Sequence, residues 1–439
     1  MDSLTLAPAS RAHGLVVPPG SKSISNRVLP LAALASGTTR LWNLPDGEDV
    51  ELMRSALLQL GLGMSDADGV LTVQGLGGPF TTGTALDLFL GNSGTCMRTL
   101  TALLCAGRGE FAVDGVARMR ERPIADLIDA LRPICGNTVV TYAGQTGFPP
   151  LRISAEGLAG GRTRIKGNVS SQFLTGLLLS LPLCRGAVEV EVDGALVSAP
   201  YVDLTLRIME AFGVKVGNRD FRRFDLAQPA GYRSPGDYHV EPDASSASYF
   251  LAAGAIAGGE VEVRGIGRDS LQGEAKFAEV LAKMGARVEY GTDRVKVSKG
   301  KDGLRGIDVD MDSMSDTGMT LAVAALFAEG PTTIRNIGNW RVKETDRIKA
   351  MATELRKVGA RAEEGPDWLT VHPPGKLSTA EIDTYDDHRM AMCFSLVSLG
   401  GIPITIRNPG CTRKTYPGYF NAFRALVSGG AMSGAGSDS

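Results

Sequence analysis

Cationic side chains recur in this sequence beside stretches that begin like helices. They are Lys22, Arg27, Arg98, Arg122, Lys343, Arg347, Arg389 and Lys414. Arginine makes bidentate contacts to phosphate and carboxylate, and lysine supplies a point charge. A single Lys or Arg is usually a solvated surface charge, but cations that recur at equivalent places predict a site for one or two small, highly charged anions.

Two carboxylates lie among these cations. Asp316 is predicted at the start of an apolar helix, and Glu344 lies between Lys343 and Arg347. In a cationic pocket, two carboxylates whose surroundings separate their pKa values can act as a general base and a general acid. A simpler interpretation stays open on these residues alone: Asp316 caps a helix, and Glu344 pairs with a lysine.

The elements that carry these residues repeat six times, at intervals of 71–76 residues. Each copy has a short polar turn and then an apolar helix rich in Leu and Ala. The helix starts are marked by Lys22, Gly94, Ser170, Ala244, Ser315 and Asp387. The unit is predicted as strand, buried helix, strand, exposed helix and further strands, so six copies predict an α/β protein.

A second, amphipathic helix is predicted in five copies, each before a glycine that would form a left-handed cap. The predicted helices are Met53–Leu60, Ile124–Cys135, Val202–Phe212, Ala275–Met284 and Thr345–Val358. The glycines are Gly61, Gly136, Gly213, Gly285 and Gly359. Short β-like stretches follow, such as Arg287–Tyr290.

The starts of the apolar helices have the sequence of N-caps, because Ser, Asp, Asn or Thr precedes each of them. An open helix start carries free N–H groups and a partial positive charge, and it binds anions such as phosphate. If three such helices pack about a pseudo-threefold axis in each half, their starts converge on a shared cleft. The alternative is that the repeat is architecture only.

Composition restricts the function classes. The 439 residues are 43% hydrophobic and 21% charged, which excludes wholesale disorder. A net charge of −2 provides no overall basic field, so we expect no nucleic-acid or membrane partner. The six cysteines lack metal spacing and a disulfide pattern, which predicts reduced, mostly buried thiols. No secretory leader pattern or run long enough to span a bilayer is found, so we expect a cytoplasmic protein.

Five segments resemble the EPSP synthase (3-phosphoshikimate 1-carboxyvinyltransferase) family, and the likeness runs from the first residues to about Phe420. The segments begin Pro19-Gly20-Ser21-Lys22, Leu90-Gly91-Asn92-Ser93, Val169-Ser170-Ser171-Gln172, Asn339-Trp340-Arg341-Val342 and Asp387-His388-Arg389-Met390. They are most similar to the bacterial, glyphosate-sensitive type.

The resemblance implies a two-domain inside-out α/β barrel. Each domain would have three βαβαββ repeats, with buried helices whose N-termini face the interdomain cleft. The N-terminal domain would be 21–241, on the side of shikimate 3-phosphate. The C-terminal domain would be 1–20 plus 242–427, with the general base and much of the phosphoenolpyruvate site, and 428–439 would be a flexible tail. The chain would cross near Gly20–Ser21 and Glu241–Pro242, and the domains would close on the first substrate.

The resemblance also implies a reaction of the shikimate pathway, which leads to chorismate and the aromatic amino acids. The enolpyruvyl group of phosphoenolpyruvate is transferred to the 5-hydroxyl of shikimate 3-phosphate through a tetrahedral intermediate, and phosphate is released. Asp316 is implied as the base, Glu344 as the acid, and Lys22 as a catalytic residue that reaches both substrates. No metal or organic cofactor is implied, glyphosate is the implied inhibitor, and we expect a monomer.

The substrate-binding residues implied by the resemblance fall into three groups. For shikimate 3-phosphate they are Arg27, Ser170, Ser171, Ser198 and Lys343, with Gln172 between the ligands. For phosphoenolpyruvate they are Gly94, Arg122, Arg347, Arg389 and Lys414. Further substrate-binding residues are Lys22, Ser23, Asn92, Asp316 and Asn339.

The sequence departs from the family at three positions near these residues. Thr99 stands where many members have proline, Ala199 where lysine is common, and Asp386 where asparagine is common. Proline would be tolerated in a first helical turn, so Thr99 is predicted to free the helix start and to weaken inhibition by glyphosate.

Two rival functions were weighed against this one. The related UDP-N-acetylglucosamine enolpyruvyl transferases place a reactive cysteine in the loop equivalent to Arg118–Pro123, and this loop has none. A non-catalytic, phosphate-binding homologue would be expected to lack Asp316, Glu344 or Lys22, and all three are present.

Overall fold

The structure is a computed structural model, and it describes residues 2–428. Most of the predicted flexible tail, 429–439, lies outside the described residues. Ser428, where that prediction begins, is the last residue of the final helix.

Six α/β repeats make up the described chain, as the sequence predicts. Two short strands precede the first copy: β1 (Ser3–Leu6) and β2 (Gly14–Val16). The first copy contains α1 (Lys22–Leu34), β3 (Thr38–Trp42), α2 (Glu48–Gln59), β4 (Gly63–Ala67) and β5 (Val70–Gln74). The second contains β6 (Leu86–Phe89), α3 (Gly94–Cys105), β7 (Arg108–Asp114), α4 (Ala125–Leu131), β8 (Val139–Tyr142) and β9 (Leu151–Glu156). The third contains β10 (Gly161–Lys166), α5 (Ser171–Ser180), β11 (Val188–Asp193), α6 (Ala199–Ala211), β12 (Gly217–Arg219) and β13 (Arg223–Leu226).

The same order continues through the second half of the chain. The fourth copy contains β14 (Asp237–His239), α7 (Ala244–Ile256), β15 (Glu260–Arg264), α8 (Phe277–Lys283), β16 (Arg287–Tyr290) and β17 (Arg294–Ser298). The fifth contains β18 (Leu304–Arg305), β19 (Asp308–Asp310), α9 (Gly318–Ala324), β20 (Ala328–Glu329), β21 (Thr332–Arg335), α10 (Arg347–Lys357), β22 (Arg361–Glu364) and β23 (Leu369–His372). The sixth contains β24 (Glu381–Ile382), α11 (His388–Ser395), β25 (Ile404–Arg407) and α12 (Tyr419–Ser428).

Short 3-10 helices extend or precede several of these elements. They are Met119–Glu121, Arg132–Ile134, Leu181–Leu183, Gly273–Lys276, Asp312–Thr317, Ala325–Phe327, Gly338–Val342, Leu396–Gly400 and Pro409–Lys414.

The five four-stranded sheets of the described chain share one topology, in which a parallel pair joins an antiparallel hairpin. The second copy has the order β6-β7-β9-β8, with β6 and β7 parallel and β9 antiparallel to both neighbours. The first and fourth copies take their outer strand from elsewhere in the chain. The strand β14 lies parallel to β3, and the N-terminal strand β2 lies parallel to β15.

Two compact units result from these pairings. The central unit is Gly20–Val240, and the terminal unit is Met1–Pro19 together with Glu241–Ser439. The strand β14 thus completes a sheet of the central unit, while β2 and β1 complete sheets of the terminal unit. The roles predicted for the two domains stay predictions.

The first helix of each copy is buried, as its all-round apolar sequence predicts. Every residue of α3, α7 and α11 is buried. In the terminal unit, the buried helices α7, α9 and α11 pack in a core that includes Tyr249, Phe250, Trp340 and Phe394. The six cysteines are free thiols, and all but the half-buried Cys411 are buried.

The second helices are present, and their glycine caps are confirmed. Each of the five glycines has a positive φ, between 60° at Gly136 and 109° at Gly285. The predicted starts are less accurate. Helix α2 begins five residues before the predicted Met53, because its acidic first turn, which favours a helix start, carries no apolar signal. Helix α6 begins at Ala199 rather than Val202, with proline in its first turn.

Candidate active site

Three buried helices begin within the central unit at the predicted residues. Serine precedes each of them, but the three serines behave differently. Ser21 Oγ and Ser170 Oγ accept hydrogen bonds from the Ile24 and Gln172 amides, at 3.5 Å and 3.3 Å. Ser93 Oγ makes no such cap and instead donates to Cys96 Sγ at 3.0 Å. The N-cap prediction therefore holds for α1 and α5, whereas the start of α3 has no side-chain cap.

The start of α3 lies against two other predicted site residues. A Cβ atom on Gly94 would lie 2.4 Å from Arg122 Nη2 and 2.9 Å from Gln172 Oε1. Only glycine allows these two side chains to approach the first turn so closely. Gly94, Arg122 and Gln172 therefore form one cluster, in which a helix start lies beside a cation, and this arrangement suits a small anion.

Arg122 is held in this cluster by neutral oxygens. Its Nη1 donates to the backbone oxygen and to Oδ1 of Asn92, at 2.9 Å and 3.0 Å. Arg98, which lies on α3, is buried and donates from Nη2 to Pro123 O at 2.7 Å. Arg98 thus ties α3 to the loop that carries Arg122, a structural role that its position near a helix start did not indicate.

Arg27 joins three elements of the central unit. Its Nε donates to Thr205 Oγ1 at 2.9 Å, and its Nη1 donates to Ser23 O at 2.6 Å. Its Nη2 donates to Thr175 Oγ1 at 3.3 Å, and the guanidinium carbon lies 5.8 Å from the centre of the Tyr201 ring. Arg27 is only 2% exposed, so its position is fixed before any ligand binds.

Lys22, the first residue of α1, pairs with a carboxylate that the sequence reasoning missed. Lys22 Nζ lies 3.3 Å from Asp49 Oδ2, and Asp49 is buried at the start of α2. The Asp49 backbone oxygen also accepts from Cys96 Sγ at 3.3 Å. The sequence does show that the first turn of α2 is acidic, but the spacing between Lys22 and Asp49 does not indicate that the two side chains pair.

The serines predicted to bind substrate begin helices in the third copy. Ser170 caps α5 and Ser171 is its first residue. Ser198 precedes α6 with a left-handed backbone, at φ 53°. A non-glycine residue in this region is uncommon and often marks a functional position.

The terminal unit contains the carboxylate Asp316, surrounded by three cations. Its Oδ1 lies 3.3 Å from Lys343 Nζ and 3.1 Å from Arg347 Nη1. Its Oδ2 lies 2.9 Å from Arg389 Nη2. Burial alone would raise the pKa of Asp316, but the charges of Arg389, Lys343 and Arg347 outweigh it and hold the pKa well below its usual value. Asp316 is therefore ionised.

Asp316 does not cap the apolar helix, so the simpler interpretation of this residue is wrong. It lies in the 3-10 helix Asp312–Thr317, and Thr317 precedes the first residue of α9. The 3-10 helix is fixed from the side by the segment Gly338–Val342. Trp340 Nε1 donates to Ser315 O at 2.9 Å, and Asn339 Nδ2 donates to Ser315 Oγ at 3.3 Å. The predicted residue Asn339 thus positions the turn that presents Asp316.

Arg347 links Asp316 to two further carboxylates. Its Nη2 lies 2.8 Å from Glu344 Oε2, and its Nε lies 2.7 Å from Asp387 Oδ2. Burial disfavours the Arg347 charge, but Asp387, Glu344 and Asp316 more than compensate and raise its pKa. Burial lowers the pKa of Lys343 despite the neighbouring Asp316.

Helix α11, which carries Arg389, follows two residues with a strained backbone. Tyr385 and Asp386 both have positive φ, 53° and 55°. Asp387 then caps the helix, because its Oδ1 accepts a hydrogen bond from the Arg389 amide at 2.9 Å.

His388 is buried, and burial together with the charge of Arg389 holds its pKa well below its usual value, so the imidazole is neutral. Lys414, the last residue of the 3-10 helix Pro409–Lys414, is also buried.

The prediction that Thr99 lies in the first turn of α3 is wrong. Thr99 is the sixth residue of α3, and Met97 already bonds to Ser93 O. The Thr99 amide therefore lies beyond the unpaired first turn, where proline is tolerated. Its hydroxyl is buried and has no hydrogen-bond partner within residues 2–428.

Each unit thus contains a distinct set of predicted residues. The central unit contains Lys22, Ser23, Arg27, Asn92, Gly94, Arg122, Ser170, Ser171, Gln172 and Ser198. The terminal unit contains Asp316, Asn339, Lys343, Glu344, Arg347, Arg389 and Lys414. The first set has the chemistry of an anion site, and the second has cations and carboxylates that can move protons.

Within residues 2–428, no helix is both long enough and apolar enough to cross a bilayer. The same range has no group of three or more His, Cys, Asp or Glu side chains arranged to hold a metal ion.

Known proteins resemble this chain over almost its whole length. It is 54% identical to a 3-phosphoshikimate 1-carboxyvinyltransferase of Marinomonas sp., over 97% of this chain and 100% of that protein. It is 56% identical to the protein of that name from Shewanella amazonensis, over 97% and 99%. Among solved structures, an EPSP synthase from Acinetobacter baumannii has a TM-score of 0.80 at 27% identity, over 97% and 98% of the two chains.

The family model matches the same extent. The model described as EPSP synthase (3-phosphoshikimate 1-carboxyvinyltransferase) covers residues 6–423. This range contains both sets of site residues and all six repeats except the last residues of α12. The chain therefore belongs to the EPSP synthase family, which transfers the enolpyruvyl group of phosphoenolpyruvate to shikimate 3-phosphate in the shikimate pathway.

Proposed function

We propose that this chain performs the family reaction at the 5-hydroxyl of shikimate 3-phosphate, by addition and elimination. The observation that carries the proposal is the ionised Asp316, surrounded by Lys343, Arg347 and Arg389, with Glu344 on the far side of Arg347. Two carboxylates joined through one guanidinium suit a reaction that removes one proton and adds another.

The central unit is assigned to shikimate 3-phosphate. Ser170, Ser171 and Ser198 offer hydroxyls and helix-start amides, and Arg27 offers a buried guanidinium fixed by neutral oxygens. Amides at a helix start and a positioned arginine both bind phosphate well. Lys343 from the terminal unit is assigned to the same substrate.

Phosphoenolpyruvate is assigned, following the family resemblance, to a helix start and four cations. Arg122 and the start of α3 at Gly94 are assigned to it, with Gln172 beside them. Arg347, Arg389 and Lys414 are assigned to it as well, and all three are buried. The proposal assigns Lys22 to both substrates, so its pairing with Asp49 must adapt when they bind.

The proton transfers are assigned as follows. Glu344 protonates the methylene carbon of phosphoenolpyruvate while Asp316 accepts the proton of the 5-hydroxyl, whose oxygen bonds to the central carbon. In the tetrahedral intermediate the new methyl group then returns a proton to Glu344, and phosphate departs with the proton held by Asp316, which leaves the enol ether and restores both carboxyl groups. The anionic substrates would draw Lys343, Arg347 and Arg389 away from Asp316, and its proton affinity would rise as the reaction requires.

Further features of the proposal follow the family. No metal or organic cofactor is required, and glyphosate would compete for the phosphoenolpyruvate site. We propose that the protein acts in the cytoplasm as a monomer. Gel filtration with light scattering would test the last point directly.

A phosphate-release assay tests the proposed function. Release should require both phosphoenolpyruvate and shikimate 3-phosphate, and UDP-N-acetylglucosamine should not replace the latter. Release with UDP-N-acetylglucosamine alone as acceptor would favour the related transferase. Binding of shikimate 3-phosphate without any release would favour a non-catalytic homologue.

A further inference from the structure

Tyr249 is a buried tyrosine that contacts Arg389 of the candidate site. It lies on α7, in the fourth copy, and its side chain is wholly buried. Its hydroxyl oxygen accepts a hydrogen bond from Arg389 Nη1 at 3.2 Å. None of the roles described above involves this residue.

The two terminal nitrogens of Arg389 have unlike partners. Nη2 donates to the ionised carboxylate of Asp316, and Nη1 donates to the phenol of Tyr249. Burial raises the pKa of Tyr249 and outweighs the opposing effect of the Arg389 charge, so the phenol stays neutral. A neutral acceptor can orient a guanidinium without cancelling the charge that an anionic substrate needs.

The Tyr249 ring is itself held in place. The Tyr419 ring packs edge-on against it, with centroids 5.6 Å apart and planes at 78°. Tyr419 is anchored in turn, because its hydroxyl lies 2.7 Å from Ser395 Oγ and donates to Met392 O at 3.0 Å. The Tyr249 hydroxyl therefore has a fixed position before any substrate arrives.

We propose that Tyr249 is a positioning residue that acts through Arg389: it keeps the guanidinium aimed at the phosphoenolpyruvate anion when Asp316 releases it. This inference rests on the proposed function. Asp316 must give up Arg389 to act as a base, and the hydrogen bond to Tyr249 then helps to retain the orientation of the side chain. Loss of the phenol should weaken phosphoenolpyruvate binding and leave shikimate 3-phosphate binding alone.

The test is Tyr249→Phe, with Tyr419→Phe as the matched control. Both changes remove one buried hydroxyl and keep the ring, so the edge-on packing of the two rings that holds Tyr249 remains, but only Tyr249 contacts Arg389. We expect Tyr249→Phe to raise KM for phosphoenolpyruvate about 10-fold, as expected for a lost hydrogen bond to a charged group. The kcat should stay within about threefold and the Kd for shikimate 3-phosphate within about twofold. Tyr419→Phe should lower the thermal midpoint and leave both constants unchanged.

A double-mutant cycle shows whether Tyr249 acts through Arg389. In an Arg389→Lys background, Tyr249→Phe should add less than about a twofold rise in KM, because the guanidinium fork is gone. Tyr249→Met, which fills a similar volume without an oxygen, should repeat the effect of Tyr249→Phe and serves if the latter does not fold.

Three results would overturn the inference. The first is an unchanged KM for phosphoenolpyruvate in Tyr249→Phe. The second is an equal rise in Tyr419→Phe, and the third is an undiminished effect in the Arg389→Lys background. If the proposed function itself were wrong, the wild-type protein would release no phosphate, which is a different result from all three.

Discussion

Arginines of the candidate site are held differently in the two units. In the central unit, the acceptors of Arg27 and Arg122 include hydroxyl, amide and backbone oxygens, which are neutral. In the terminal unit, Arg347 and Arg389 donate to the carboxylates of Asp316, Glu344 and Asp387. Neutral acceptors fix a guanidinium without reducing its charge, whereas carboxylates fix it and compensate the charge.

The difference suggests that the arginines of the two units have different chemical roles. An arginine fixed by neutral oxygens is prepared to bind an anion, because its position costs no further ordering when the ligand arrives. An arginine paired with carboxylates holds groups that can exchange protons, and an incoming anion competes with those groups for it. The central unit therefore suits anion binding, whereas the terminal unit suits proton transfer as well as anion binding.

The largest predicted effect concerns the terminal unit. Glu344→Gln should lower kcat by about 10²–10⁴-fold, the usual contribution of a general acid or base. The Kd for shikimate 3-phosphate should change less than about threefold. Steady-state kinetics and isothermal titration would check the two values. A variant that turned over within about threefold of the wild type would remove Glu344 from its assigned role.

The complementary change in the central unit is Arg27→Gln. Loss of a charged hydrogen-bond donor should raise the Kd for shikimate 3-phosphate about 10–100-fold. At saturating substrate, kcat should stay within about fivefold. Arg40→Gln is the matched control, because Arg40 is exposed and pairs with Asp237 in a surface ion pair. A collapse of kcat with unchanged affinity would break the comparison between the units.

Acid sensitivity provides a third test, through His388. Its charged and titratable neighbours are Arg347, Arg389, Lys414, Glu344 and Asp387. Since its pKa is lowered in the folded state, the unfolded chain binds the extra proton first. Stability should therefore fall as the pH drops below about 6.5, by up to about 1.4 kcal/mol per pH unit until the folded-state pKa is reached.

The variant His388→Asn should remove this contribution. Its thermal midpoint should fall less than that of the wild type between pH 7.5 and pH 5.5, even if it is lower at both. Scanning calorimetry at the two pH values would show this. An equal fall in both proteins would mean that the buried imidazole does not remain neutral.

The smallest predicted effect lies in the central unit, at Thr99. Its buried hydroxyl has no hydrogen-bond partner among the described residues. Thr99→Val replaces it by a methyl group of similar size, and we expect a gain of about 1 kcal/mol in unfolding free energy. Urea unfolding would measure the gain. A loss of stability would indicate that the hydroxyl is satisfied by water.

Sequence alone predicted the repeat, the buried helices and the glycine caps, because each depends on local pattern. Gly94 and Ser170 were found at helix starts for the same reason. The pairing of Lys22 with Asp49 and of Tyr249 with Arg389 could not be predicted, because each joins residues that are distant in the chain. The position of Asp316 was missed because a 3-10 turn precedes α9, and the polar sequence before a helix does not distinguish a cap from such a turn.

The central claim is that Asp316 forms ion pairs with cations that later bind an anionic substrate. The direct measurement is the Kd for glyphosate, as a non-reacting anion, in wild-type and Asp316→Asn proteins saturated with shikimate 3-phosphate. Removal of the carboxylate charge should lower this Kd, by up to about 10-fold, while turnover falls at least about 100-fold. Glyphosate binding that is about 10-fold weaker in Asp316→Asn, or turnover within about threefold of the wild type, would contradict the account.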